Sequence, residues 1–171
     1  MSPRELYWSL LGRVLYRWSF HNAYRFRRLL LNLAGARLHP TAKIRARARV
    51  DKPWNFSAGE AVLIGDDARF FCGAPVSIGD RCTISQLATL CAETARRRGE
   101  VTAAPITIGS DSWVAADTLV LPGVTIGAGS VVGSRATVET DIQPWSVAVG
   151  EPARRIKARE LASANTPETD P

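Results

Sequence analysis

The chain has 171 residues, 46% of them apolar, with 22 Lys and Arg against 16 Asp and Glu for a formal net charge of +6. That is the size and composition of a single soluble domain able to bury a core. The charge is uneven, because residues 1–50 hold eleven Lys/Arg against Glu5 alone, whereas 51–171 hold eleven against fifteen acids.

A basic, aromatic-rich front end meets anionic lipid, nucleic acid or an acidic substrate, or else is a solvated helix face. No recognition motif for nucleic acid accompanies it, so nucleic acid is not an expected partner. Arg13, Arg17, Arg25, Arg27 and Arg28 interrupt the only apolar candidate short of the roughly 18–20 residues that span a bilayer. The same charges recur where the apolar region of a signal peptide should run, so the expected location is the cytoplasm.

Residues 1–35 are expected to form a helical arm, two helices broken near Ser19 and Asn22. Tyr7, Leu11, Val14, Leu15 and Trp18 have helical spacing, and Phe26, Leu29, Leu30 and Leu33 continue it. Their apolar face is expected to cap a solenoid end, with peripheral contact to the inner face of a membrane as the alternative.

Residues 36–150 carry a six-residue repeat. Ile108, Val114, Val120, Ile126, Val132 and Val138 recur without a miss, an outcome of about one in a hundred by chance at this composition. Gly109, Ala115, Gly127 and Gly133 follow the aliphatic by one place; Ser112, Thr118, Val124, Ser130 and Ala136 follow it by four. The frame runs backward as Ile78, Ile84, Leu90, then Ala58, Ile64, Phe70, then Leu38, Ile44, Val50, slipping by two residues between triplets. Slips after every third hexad predict a three-sided parallel coil of about five turns, with small insertions near Phe56 and Val76. Glycines are expected at corners that need positive φ.

Residues 91–105 break the register and are expected to project as a loop. After Pro144 the repeat fades into the basic stretch 154–159, for which a short helix is expected, and a polar tail at 162–171. Cys72, Cys82 and Cys91 fall in no paired spacing, so reduced thiols are expected, with Cys82 packed inside the repeat.

With these hexads, the segments Pro53-Trp54-Asn55-Phe56 and Ala74-Pro75-Val76-Ser77-Ile78-Gly79-Asp80, and the ending Gly150-Glu151-Pro152-Ala153-Arg154, the chain resembles the hexapeptide-repeat acyltransferases. Within them it is most similar to the colanic-acid-type acetyltransferases of bacterial exopolysaccharide synthesis, over residues 27–157. The resemblance implies a left-handed parallel β-helix, a homotrimer, and acetyl-CoA as co-substrate in the groove between neighbouring β-helices, with no metal. It implies backbone contacts to the pantetheine arm from Trp113, Ala115 and Ala116, and further contacts from Gly133 and Ser134. Arg154 and Lys157 are implied at the phosphates, which their charge suits. Glu151 replaces the family's usual Asn, and Thr140 its usual Lys.

The family's loop opens Leu-Cys-x-x-x-His-Asp, and its histidine takes the proton of the attacking sugar hydroxyl. Here the stretch is Leu90-Cys91-Ala92-Glu93-Thr94-Ala95-Arg96, with Ala95 at the histidine and Arg96 at the aspartate. His21 and His39 precede the main body; His39 is expected to be structural, at a corner of the first turn. Glu93 is the nearest titratable substitute as base, against an alternative as an exposed loop carboxylate. The β-helical carbonic anhydrases need three histidines on zinc, and the coils hold none. The expected function is transfer of acetyl from acetyl-CoA to a sugar or polysaccharide precursor. A catalytically silent CoA-binding or scaffold partner is the alternative that Ala95 motivates.

Overall fold

The computed structural model describes residues 2–20, 22–95 and 101–160, and the side chain of Ala95 is excepted. Each hexad folds as a strand of two or three residues with its aliphatic side chain turned inward, joined in Phe56–Ala58, Val76–Ile78 and Ile106–Ile108 by a second buried side chain two places before it. The first turn comprises β1 (Arg37–Leu38), β2 (Lys43–Ile44) and β3 (Arg49–Val50). The second comprises β4 (Phe56–Ala58), β5 (Leu63–Ile64) and β6 (Arg69–Phe71); the third, β7 (Val76–Ile78), β8 (Thr83–Ile84) and β9 (Thr89–Cys91). A hairpin, β10 (Glu93–Ala95) and β11 (Val101–Ala103), interrupts the coil. The fourth turn is β12 (Ile106–Ile108), β13 (Trp113–Val114) and β14 (Leu119–Val120); the fifth is β15 (Thr125–Ile126), β16 (Val131–Val132) and β17 (Thr137–Val138). Strands β18 (Ser146–Gly150) and β19 (Ala153–Ala158) close it.

Stacking the turns produces three parallel sheets, ordered β1-β4-β7-β12-β15, β2-β5-β8-β13-β16-β18 and β3-β6-β9-β14-β17. Every hexad aliphatic from Leu38 to Val138 is buried and meets its counterpart one turn on, as in Ile64↔Ile84 and Val114↔Val132. The predicted slips lie at the corner between the third and first sheets. One of them holds the 3₁₀ turn Pro53–Asn55, after which Phe56 packs on Phe70 with ring centroids 4.8 Å apart.

Corner geometry corrects the expected role of glycine. The left-handed positions are mostly not glycine: Ala61, Asp67, Arg81, Leu87, Asp111 and Asp117 all adopt φ between 53° and 63°. The hexad glycines serve stacking instead, for a Cβ added to Gly79 would lie 2.6 Å from the Ser110 nitrogen of the next turn. The small polar residues bridge turns: Ser112 Oγ donates to the Gly127 carbonyl at 3.0 Å and Thr118 Oγ1 to that of Gly133 at 3.1 Å.

The arm caps the first turn, but with a different stripe from the one expected. Helices α1 (Pro3–Tyr7) and α2 (Arg13–Arg17) flank a π-helical segment, Trp8–Gly12, and after a break α3 (Tyr24–Leu33) follows. Trp8, Gly12 and Tyr16 are the buried positions of the first half: the Trp8 and Tyr16 rings reach backbone carbonyls of the coil, Trp8 Nε1 to Val50 O and Tyr16 OH to Arg45 O, each 3.2 Å, and Gly12 lies under the Trp8 ring. Leu11, Val14, Leu15 and Trp18 face outward, as do Phe26, Leu29 and Leu33, while Leu30 and Leu31 of α3 are buried.

The basic stretch expected as a helix is strand β19. The chain reverses through Gly150, at φ 102°, and a cis Glu151–Pro152 peptide. β19 then pairs antiparallel with β18 and covers the free edge of the second sheet. Its run of charged side chains is what an uncovered strand edge tolerates. The break at 91–105 is the hairpin, with Glu93 opposite Ala103 and Ala95 opposite Val101.

Candidate functional site

Trp113, Ala115, Ala116, Gly133 and Ser134 come together at one corner, where the second sheet turns into the third. The Ala115 nitrogen donates to Val132 O at 2.9 Å and the Arg135 nitrogen to Ala116 O at 3.0 Å, so the two segments lie on successive turns. Each turn of three hexads brings the backbone back to the same edge, which is why residues eighteen apart become neighbours. The Trp113 indole is half-exposed and donates from Nε1 to Ser85 Oγ at 2.9 Å, fixing the ring along the sheet's outer face. The Gly133 nitrogen donates to Ala148 O at 2.8 Å, which places β18 next on the same edge. Arg154 pairs with Val149 and Lys157 with Val147, both exposed on β19. The structure thus gathers the residues named for CoA on consecutive coils.

Glu93 lies at a different edge, where the third sheet turns into the first. Its carboxylate crosses Gly73 and is held by Lys52, whose Nζ donates to Oε1 at 2.9 Å and to Oε2 at 2.8 Å. Hydrogen bonding to Glu93 raises the Lys52 pKa above its ordinary value, against the opposing effect of burial. Glu93 is therefore a partly buried member of an ion pair rather than a free loop carboxylate. Asp51 Oδ1 accepts from the backbone nitrogens of Lys52 at 2.6 Å and Cys72 at 2.7 Å, so the site is built on corners of the first and second turns. Cys91 Sγ donates to the Glu93 carbonyl at 2.7 Å, and burial raises its pKa. The backbone of Ala95 lies on β10; Arg96 and His21 fall outside the described residues. His39 sits exposed at the first corner of the first turn, its Nδ1 2.8 Å from Thr41 Oγ1. Among the described residues, no three His, Cys, Asp or Glu side chains are grouped to hold a metal ion.

A cleft of about 710 Å³ between the arm and the third sheet was not foreseen from the residues; Arg13, Arg17, Arg49 and Arg69 all border it. The signal available was the excess of positive charge in the first 50 residues, which says nothing of where the folded chain collects it.

Comparison with known proteins agrees with this architecture. The bacterial transferase hexapeptide (six repeats) pattern matches residues 105–140. The chain is 35% identical over 158 residues to a protein of Escherichia coli (strain K12) provisionally named colanic acid biosynthesis acetyltransferase WcaF, covering 91% of this chain and 86% of that one. A galactoside acetyltransferase solved in complex with coenzyme A superposes with a TM-score of 0.83 at 26% identity, covering 94% of this chain and 84% of that one. A maltose O-acetyltransferase of Clostridium difficile 630 has a TM-score of 0.81 at 26% identity, covering 92% and 87%. The coil is the left-handed β-helix of such acetyltransferases. With a third of its residues shared with the WcaF relative along nearly its whole length, the chain belongs to the hexapeptide-repeat acetyltransferase family.

Proposed function

We propose that this protein transfers an acetyl group from acetyl-CoA to a hydroxyl of a sugar or polysaccharide precursor. The observation that carries the reading is the convergence of Trp113–Ala116 with Gly133 and Ser134 on one corner, in a fold shared with a galactoside acetyltransferase solved with coenzyme A. The corner offers backbone groups for the pantetheine arm, and Arg154 and Lys157 of β19 offer charge for the phosphates. In the reaction the acceptor oxygen bonds to the thioester carbonyl carbon, the carbon–sulfur bond breaks, and the hydroxyl proton passes to a base while the CoA sulfur leaves. We assign the proton to Glu93, the carboxylate that the hairpin carries where relatives keep their histidine loop. Glu93 and the CoA corner lie on different edges of one chain, so a complete site needs a neighbouring copy, and the assembly proposed is a homotrimer.

The test is incubation with acetyl-CoA and a panel of nucleotide-sugar, glycolipid and oligosaccharide acceptors, following free thiol and product mass. Glu93→Gln is expected to lower kcat by about 10²–10⁴ with KM little changed, and His21→Ala serves as a control. An active enzyme indifferent to Glu93→Gln would remove the base assignment while leaving the transferase reading intact. CoA binding without acetylation of any acceptor would favour a second reading, a catalytically silent CoA-binding partner, which Ala95 in place of histidine motivates. Three chain masses in sedimentation equilibrium are expected, and one would overturn the assembly. The outward stripe of Leu11, Val14, Leu15 and Trp18 supports contact of the arm with an anionic membrane surface. Flotation with phosphatidylglycerol vesicles should carry the protein upward, and its absence would remove this contact. We place the protein in the cytoplasm, against the inner face of that membrane.

A further inference from the structure

Arg49 and Arg69 stand directly opposite each other on β3 and β6, both exposed on the third sheet. Like charges facing across a sheet repel and destabilise the pair. Neither has an ion-pair or hydrogen-bond partner among the described residues, nor do Arg13 and Arg17, one helical turn apart on α2. All four border the 710 Å³ cleft between α2 and the sheet. By contrast Arg47, at the same cleft, is neutralised by Asp67 at 2.9 Å. The cleft's wall is aromatic: Tyr16 and Phe70 are buried, and Phe71 is 41% exposed. Asp51, the residue preceding the Lys52 that holds Glu93, also lines the cleft.

Four unpaired guanidinium groups around an aromatic-walled cleft form a receptor for anionic oxygens beside a ring face, since guanidinium forks bind carboxylate and phosphate in two-point contacts. A neutral glycoside offers nothing to offset the Arg49–Arg69 repulsion. We propose that this cleft binds an anionic sugar, one bearing a carboxylate or a phosphate, and that such a sugar is the acceptor. The proposal rests on the transferase reading only for the word acceptor; binding itself does not depend on it.

Calorimetric titration of the full-length protein without acetyl-CoA tests it. The probes are a glucuronic-acid disaccharide, a nucleoside-diphosphate sugar and a neutral disaccharide of equal size. The carboxylate or the phosphate probe, or both, should bind, the neutral one at least about tenfold more weakly, and binding should weaken with salt. Whichever anionic probe binds names the source of the charge. The double variant Arg49→Gln/Arg69→Gln should lose about tenfold or more in affinity while its Tm holds or rises, because a repulsion has been removed. Equal binding of the neutral probe, no binding of either anionic probe, or full retention by the double variant would each overturn the proposal. An anionic sugar that binds through these arginines yet is never acetylated would leave the cleft standing and remove the acceptor assignment.

Discussion

Among single residues, Arg27 does the most unusual work, because its side chain is fully buried in the seam between arm and coil. Its Nε donates to Ile44 O at 2.7 Å and its Nη1 to Phe20 O at 2.7 Å and Ser19 Oγ at 3.0 Å. The guanidinium also lies 5.0 Å over the Tyr24 ring, and burial lowers its pKa. One side chain thereby ties the interhelical break to the first turn. Arg27→Ala removes the donor to the Ile44 carbonyl, takes one of two donors from the Phe20 carbonyl and opens a void, and should cost about 2–4 kcal/mol in denaturant unfolding. Nothing in the sequence separates Arg27 from its neighbours Arg25 and Arg28; its role arises only when α3 is laid on β2.

The cysteines make a second prediction at this scale. Cys72 and Cys82 are buried and Cys91 partly so, and burial raises the pKa of all three thiols. Thiolate is the reactive species, so the folded protein should react with a thiol reagent far more slowly than the denatured chain, in which all three titrate at once. Thiol release during acetyl transfer can then be read without a large protein background.

At the scale of elements, the Lys52–Glu93 pair clamps the β10–β11 hairpin to corners two turns away. A raised lysine pKa contributes stability that is whole below the ordinary value of 10.5 and is lost as pH rises through the higher folded value. Hydrogen exchange in β10 and β11 should therefore show protection, corrected for intrinsic rates, that is constant through neutral and mildly alkaline pH and drops only above the usual lysine range. Lys52→Ala should remove about 0.5–1 kcal/mol of that protection, the modest worth of a half-exposed pair. The hairpin was legible only as an interruption, because Glu93 to Ala103 has no hexad register to say that its arms pair. The last strand was misjudged for a related reason. A basic run after a proline carries helix and strand signals equally, and only the unpaired edge of the second sheet decides between them.

The whole coil was the most legible feature. A spacing of six with one aliphatic per strand admits few structures, and the two-residue slips mark the corner where Pro53–Asn55 is inserted. The arm was less so: helical periodicity located its helices, yet the packed stripe is Trp8, Gly12 and Tyr16, since hydrogen bonds from the two rings outweigh aliphatic area there. Both coil ends are covered, the first turn by the arm and the edge of the second sheet by β19. Deleting residues 2–33 uncovers the buried ends of Leu38, Ile44 and Val50 together with unpaired strand edges. The truncated chain should aggregate on concentration, seen as rising light scattering, while the full chain stays clear.

The strands of each turn pair only with those of its neighbours, and this bears on how such proteins diversify. The arginine cleft belongs to the arm and the first two turns, whereas the corner proposed for CoA belongs to the fourth turn and those after it, with the third turn between. Substitutions at one end reach the other only through the third turn and the Lys52–Glu93 pair, so a lineage that keeps that pair can vary the cleft arginines while the corner of the fourth and fifth turns is inherited intact.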